Sequence, residues 1–344
     1  MTRREWMLGA AVALGTEPLD RAARILEQAA ASGHVRAAVL EVRRGRFRFS
    51  RAFGQARAET VFLLASISKP MTAAGVMVLA DRGKVALSDP VNRFIPEFAG
   101  GDRERVNVRH LLTHTSGLPD MLPENEMLRR RHAPLAEFVA ATCRTPLLFS
   151  PGEKVSYQSM GILLAAEIAQ RITGMPFREF LRREVFLPMG MRATSLGLGR
   201  RPLEETAQCQ VESKEDWAWN SAYWRDLGSP WGGVHATAAD VSRFLASFLR
   251  PSGRVLKRET AAAMIANQTE GLNEAWGLGW MLGRTILGRE FRPRAFGHFG
   301  ATGTVAWGDP ETGVRCVLLT TKPAEQSRAT LLAPVSELVA DAAG

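Results

Sequence analysis

Ser66-Ile67-Ser68-Lys69, followed by Pro70-Met71 and an apolar run through Val76, Met77 and Leu79 to a stop at Gly83, decides how this chain is read. The run has helical spacing, and Pro70 in the first turn costs little because that N–H has no helical partner. On a helix, residues i and i+3 share a face, so Ser66 and Lys69 can touch. A serine hydroxyl is a weak nucleophile until a base takes its proton, and a neutral lysine can be that base. The positive end of a helix disfavours an ammonium there and favours a developing alkoxide. Taken alone, the four residues read more simply as an N-cap serine and a surface lysine, because S-x-x-K arises often by chance.

Further along, three stretches carry polar residues in an order that fits such a serine. Tyr157-Gln158-Ser159 follows Pro151-Gly152 and immediately precedes a helix predicted over 159–173, with Gly174 as its stop. Gly297-His298-Phe299-Gly300-Ala301-Thr302-Gly303 leads into an apolar strand. Between them lies Trp231-Gly232-Gly233-Val234-His235-Ala236-Thr237, and upstream of all of them His110-Leu111-Leu112-Thr113-His114-Thr115-Ser116-Gly117-Leu118.

With these boxes in this order the chain resembles the β-lactamase-related serine hydrolases over roughly residues 35–320: class C β-lactamases, penicillin-binding carboxypeptidases and their esterase relatives. The resemblance implies Ser66 as nucleophile, with Lys69 and Tyr157 as its proton-handling partners. It implies the backbone N–H groups of Ser66 and Ala301 as donors to the oxyanion. His298-Phe299-Gly300 matches the K-T-G or H-x-G box, so His298 and Gly300 are implied at the substrate, with Gly300 leaving the strand edge open. The stretch from His114 to Leu118 resembles a structural marker of the family. Tyr157 serves as a base only if a nearby cation, Lys69, lowers its pKa from about 10. Two positions depart from the pattern. Ser159 stands where the family has Asn, so it either contacts substrate or caps the following helix. His298 replaces a lysine, which weakens attraction for a substrate carboxylate unless the ring is protonated or Arg292 or Arg294 supplies the charge.

The coarse pattern fits an α+β fold of the serine β-lactamase type. A helix over 18–32, strands over 35–42 and 47–53 around Arg43-Arg44-Gly45, and strands near 277–282, 295–298, 302–308 and 314–320 place sheet-forming residues at both chain ends. Thr237-Ala238-Ala239-Asp240 opens a helix in the manner of a capping box, and a last helix is predicted over 326–342. The expectation is one antiparallel sheet built from both ends, flanked by the terminal helices, with residues 18–80 and 231–344 in an α/β lobe and 81–230 in a mostly helical one.

Composition narrows the partners. Net charge is +9, but the 44 basic residues are scattered among 35 acidic ones and no nucleic-acid motif accompanies the Arg129-Arg130-Arg131 run, so a nucleic-acid partner is not expected. His110 and His114 have helical metal-ligand spacing, yet lack the Glu of H-E-x-x-H, so no metal and no organic cofactor is expected. The three cysteines, Cys143, Cys209 and Cys316, define no disulfide framework. Trp217, Trp219, Trp224 and Trp231 either line an acyl pocket or simply pack. Residues 1–17, with Arg3-Arg4 ahead of apolar Met7–Leu14, read as a twin-arginine-like export signal or an unremarkable N-terminus, so the protein is either exported or cytoplasmic. No stretch is long enough for a stable membrane span, and oligomeric state is left open. The function expected is hydrolysis of a small ester or amide through an acyl-enzyme, an esterase first. β-Lactamase, D-Ala-D-Ala carboxypeptidase, transacylase and a catalytically idle sensor on the same scaffold are the alternatives.

Overall fold

A computed structural model describes residues 14–283, 286–287 and 291–344. Of the candidate export signal over residues 1–17, residues 1–13 lie outside the described residues; Leu14 is buried and the first helix already begins at Thr16.

The chain begins with α1 (Thr16–Ala31), β1 (Ala37–Arg44), β2 (Phe47–Gly54), β3 (Phe62–Leu63), a 3₁₀ turn (Ala65–Ile67) and α2 (Ser68–Asp81). Then come α3 (Val108–Leu112), α4 (Asn125–Arg130), α5 (Leu135–Arg144), α6 (Met160–Thr173) and α7 (Phe177–Leu181). After these follow β4 (Ser195–Leu196), α8 (Ala222–Leu227), β5 (Val234–Ala236), α9 (Ala238–Leu249) and α10 (Arg258–Met264). The chain closes with β6 (Met281–Leu282), β7 (Phe296–Gly300), β8 (Thr304–Gly308), β9 (Val314–Thr320), α11 (Ala324–Ser327), a π turn (Arg328–Leu332) and α12 (Ala333–Asp341).

The main sheet has the order β2-β1-β9-β8-β7-β6 with every pair antiparallel. The first and last parts of the chain meet where β1 pairs with β9, Leu40 opposite Leu318. Side chains alternate across a strand, and both faces of these central strands are covered. Leu40, Val42, Cys316 and Leu318 pack with Leu19 and Leu26 of α1 and Val335 and Val339 of α12. Val39, Val317 and Leu319 face the other way, into the core that holds α2, α6 and α9. Burial on both sides explains why β1 and β9 read as near-continuous apolar runs. β1 and β2 join through Gly45-Arg46, with Arg44 opposite Phe47, and Gly45 supplies the positive φ (56°) of a tight hairpin.

Several boundaries differ from the sequence expectation. The strand expected over 277–282 is reduced to Met281–Leu282. Gly279 has φ 81° and packs against Pro70 and Ala73 of α2, so the segment bends there. A small second sheet, β3-β5-β4, was not anticipated. Its strands of two or three residues are too short to show a period. The last helix is interrupted by the π turn over Arg328–Leu332. Thr237 caps α9 as expected, its hydroxyl accepting from the Asp240 N–H at 3.2 Å. Among the described residues no helix is long and apolar enough to cross a membrane.

Candidate active site

Ser66 sits in the 3₁₀ turn that joins β3 to α2. Its N–H belongs to the first turn, where amides have no acceptor within the helix. The preceding residue, Ala65, has φ 48°, a strained position for a side chain other than glycine. Two hydroxyls from the β7–β8 region clamp the chain just before it: Thr302 donates to the Leu63 carbonyl at 2.7 Å and Thr304 to the Leu64 carbonyl at 2.9 Å. Gly300 lies under the same turn, where a Cβ would collide with the Leu64 carbonyl oxygen and the Thr304 hydroxyl. The close approach that requires glycine is therefore to the Ser66 turn, and Gly300 lies outside the cavity lining. Gly300→Ala is expected to displace that turn and lower kcat/KM for p-nitrophenyl butyrate at least about tenfold. Wild-type kinetics in this variant would separate the strand from the placement of Ser66.

Lys69 Nζ donates to Ser66 Oγ at 3.3 Å and to the Trp231 carbonyl at 3.2 Å. The side chain is 1% exposed. Burial lowers its pKa from 10.5 to about 7, against a smaller upward pull from Asp120. In the neutral form one N–H still reaches Trp231 while the lone pair can take the Ser66 proton. The other serines nearby are engaged elsewhere. Ser68 Oγ accepts from the Val234 N–H at 2.9 Å, and Ser116 donates to Gln158 Oε1 at 2.5 Å.

Tyr157 lies beside this pair, with Lys69 Nζ 4.5 Å from its ring centre. Its loop is held by the stretch His110–Gly117. The Ser156 N–H donates to the His114 carbonyl at 2.8 Å, the Gln158 N–H to His114 Nδ1 at 3.1 Å, and Gln158 Nε2 to the His110 carbonyl at 3.1 Å. His114 ring edges meet Tyr157 and Trp276 at 4.9 and 4.4 Å between centroids. His114 is thus a buried hinge pin for the tyrosine loop, and no cluster of three metal-ligating side chains occurs among the described residues. The expectation that Lys69 lowers the Tyr157 pKa fails. Burial raises it well above 10, and the contact with Ser66 only partly opposes that. The phenol stays protonated at neutral pH.

His298 was expected at the substrate, yet it is not among the residues that line the cavity. Its pKa falls to about 3, first through burial and then through the charge of Lys69. Nδ1 donates to the Phe299 carbonyl at 2.7 Å, so Nε2 carries the lone pair, buried and without a partner. The ring is neutral and lies behind the cavity wall. Neither arginine considered in its place reaches the site. Arg292 pairs with Asp309 at 3.3 Å and donates to the Ala340 and Gly344 carbonyls, and exposed Arg294 points to Glu311 at 3.9 Å. Ser159 occupies the N-cap position of α6 but makes no side-chain cap. Its hydroxyl donates to Asp120 Oδ1 at 2.6 Å.

Ser66, Tyr157, Ser159 and Ala301 line one cavity of about 500 Å³. Three of the four tryptophans singled out in sequence, Trp219, Trp224 and Trp231, are on its wall. Trp217 is not; it packs beneath Arg129 and Arg130. Asp120, Glu274, Trp276 and Arg328 also line the cavity and were missed in sequence. Asp120, two residues past the His114–Leu118 stretch, stood nearest to a motif.

A serine on the turn ahead of α2, a buried lysine beside it and a tyrosine in the same cavity point to a class, and the comparisons agree. The chain belongs to the beta-lactamase family, whose model matches residues 22–340. It is similar to an esterase, EstB of Burkholderia gladioli, at 34% identity over 181 residues, 46% of this chain and 46% of that protein. It is similar to penicillin-binding protein 4 of Amycolatopsis lactamdurans at 30% identity, over 71% of this chain and 67% of that one. The chain spans about half the length of the esterase it matches. In three dimensions it resembles EstCE1, described as a hydrolase with promiscuous acyltransferase activity, with a TM-score of 0.79 over 94% of this chain and 98% of that one at 21% identity.

Proposed function

We propose that the protein is an esterase that hydrolyses small carboxylic esters through an acyl-enzyme on Ser66. The observation that carries the proposal is the wholly buried Lys69 amine 3.3 Å from Ser66 Oγ, with a pKa near 7. In the acylation step, neutral Lys69 takes the Ser66 proton as Oγ bonds to the carbonyl carbon. The oxyanion is met by the N–H groups of Ser66 and Ala301. As the bond to the leaving alkoxide breaks, Tyr157 O–H supplies its proton and is reprotonated from the lysine ammonium. Water then attacks the acyl-enzyme, its proton returns through the same pair to Ser66, and the acid leaves. The high pKa of the buried phenol suits it to relay a proton rather than to stand as a phenolate.

Preference for esters over β-lactams rests on charge. A penicillin brings a carboxylate, and neutral His298 offers it no cation. A charge-assisted hydrogen bond contributes roughly 1.5–3 kcal/mol, so its loss costs on the order of ten- to a hundredfold in affinity. Arg328 is the observation that favours the β-lactamase reading, since its guanidinium lines the cavity over the Phe299 ring at 4.4 Å. Side-by-side kinetics on p-nitrophenyl butyrate and nitrocefin discriminate the two. The ester is expected to exceed nitrocefin in kcat/KM by at least about a hundredfold. Efficient nitrocefin turnover with little ester hydrolysis would make β-lactamase the better name.

A further inference from the structure

We propose that Asp120 makes this site selective for esters that carry an organic cation, a refinement that rests on the esterase reading above. The side chain comes off the segment that anchors the Tyr157 loop and reaches the same cavity as Ser66. Its Oδ1 is fixed by the Ser159 hydroxyl at 2.6 Å, which leaves Oδ2 for a ligand. It forms no ion pair with any described residue. Its charge reaches the reacting groups, because it draws the Lys69 and Tyr157 pKa values upward.

Ionised, a carboxylate only accepts, so its partners are N–H donors or cations. The rest of the wall selects between these. Trp219, Trp231 and Trp276 line it with rings that attract a cation and give a neutral polar group little to bond, whereas Trp224 and Phe299 already carry the Arg129 and Arg328 guanidiniums at 3.9 and 4.4 Å. A second carboxylate, Glu274, lines the cavity and accepts from Trp276 Nε1 at 3.2 Å. The opposing charges are Arg328, whose guanidinium is already stacked on Phe299, and the Lys69 amine behind Ser66, which is only partly protonated at neutral pH. Two carboxylates and the uncovered tryptophan rings against one guanidinium and a partly protonated amine leave a cavity that favours an ammonium over a second anion. The cation can sit on the acyl or on the alcohol part of the ester.

Two pairs of substrates distinguish those sources. Choline butyrate is compared with its uncharged analogue, in which carbon replaces the quaternary nitrogen. The p-nitrophenyl ester of γ-trimethylammoniobutyrate is compared with its tert-butyl isostere. At low ionic strength at least one pair is expected to favour the cation by about tenfold or more in kcat/KM. The ratio should fall toward one in Asp120→Asn, persist in Asp120→Glu, and shrink in the wild type as salt is added. The salt series needs no variant, so a misfolded Asp120→Asn does not remove the test. A ratio near one in both pairs would overturn the proposal. So would a ratio unchanged in folded Asp120→Asn, or a preference for mono-p-nitrophenyl glutarate, which would assign the cavity to Arg328 instead. The uncharged esters test the hydrolase reading by themselves. Their turnover with no cation preference sinks the selectivity alone, whereas no turnover of any ester sinks both.

Discussion

Ser66→Ala is expected to abolish ester turnover, by at least about 10⁴-fold, and to abolish covalent labelling by a fluorophosphonate. The size follows from the role. Without Oγ no acyl-enzyme forms, and the oxyanion donors are left to assist only direct attack by water. The fold should survive, because the Ser66 hydroxyl is not used to hold the turn. That is done by Thr302 and Thr304 on the Leu63 and Leu64 carbonyls, and by Ser68 on Val234. Circular dichroism and thermal unfolding close to wild type would establish this. Intact-mass and peptide mapping decide the nucleophile. A label on Ser68, Ser116 or Ser159 would remove Ser66 from the mechanism, against the engagement of those three hydroxyls with Val234, Gln158 and Asp120.

The parts of this protein that were legible in sequence are those whose physics is local or periodic. β9 was bounded correctly because an apolar run between Gly313 and the polar Thr320–Lys322 segment has nowhere else to go. α6 ends at Gly174 because the chain turns left-handed there, φ 64°. Ser66 and Lys69 were legible because one helical turn joins them. Asp120, Trp276 and Arg328 were not, because each is brought to the cavity by a different loop or turn and none has a distinctive spacing. Arg328 fell inside the helix expected over 326–342, and the π turn that carries it has no sequence period of its own, although π turns occur often at functional sites. The Tyr157 pKa was expected to shift in the wrong direction for a physical reason. Sequence reveals Lys69 as a neighbour but not the depth of burial, and here burial raises the phenol and at the same time lowers the lysine pKa to about 7, which drains the charge expected to help.

Lys69→Ala is expected to lower kcat/KM about 10³-fold, within the range that general-base catalysis supplies. Truncation removes the only amine within reach of Ser66 Oγ among the described residues, and neutral His298 lies behind the wall with no contact to that oxygen. Lys69→Arg should be as damaging, because a guanidinium keeps its proton at every working pH. The wild-type pH profile carries the same argument. The base must be neutral to act, and its pKa is about 7. Below that value the competent fraction falls tenfold per pH unit, so kcat/KM should rise with unit slope up to about pH 7 and level above it. Asp120 pulls this pKa upward, so Asp120→Asn should move the acid limb to lower pH. Tyr157→Phe should cost at least about 100-fold, and the double variant with Lys69→Ala should fall far short of the product of the two losses, because both groups move one proton. A tyrosine variant with near-wild-type activity would take the phenol out of the relay. A profile that stays flat from pH 5 to 9 in the wild type would show that the Lys69 amine is not the base, whatever its distance from Ser66.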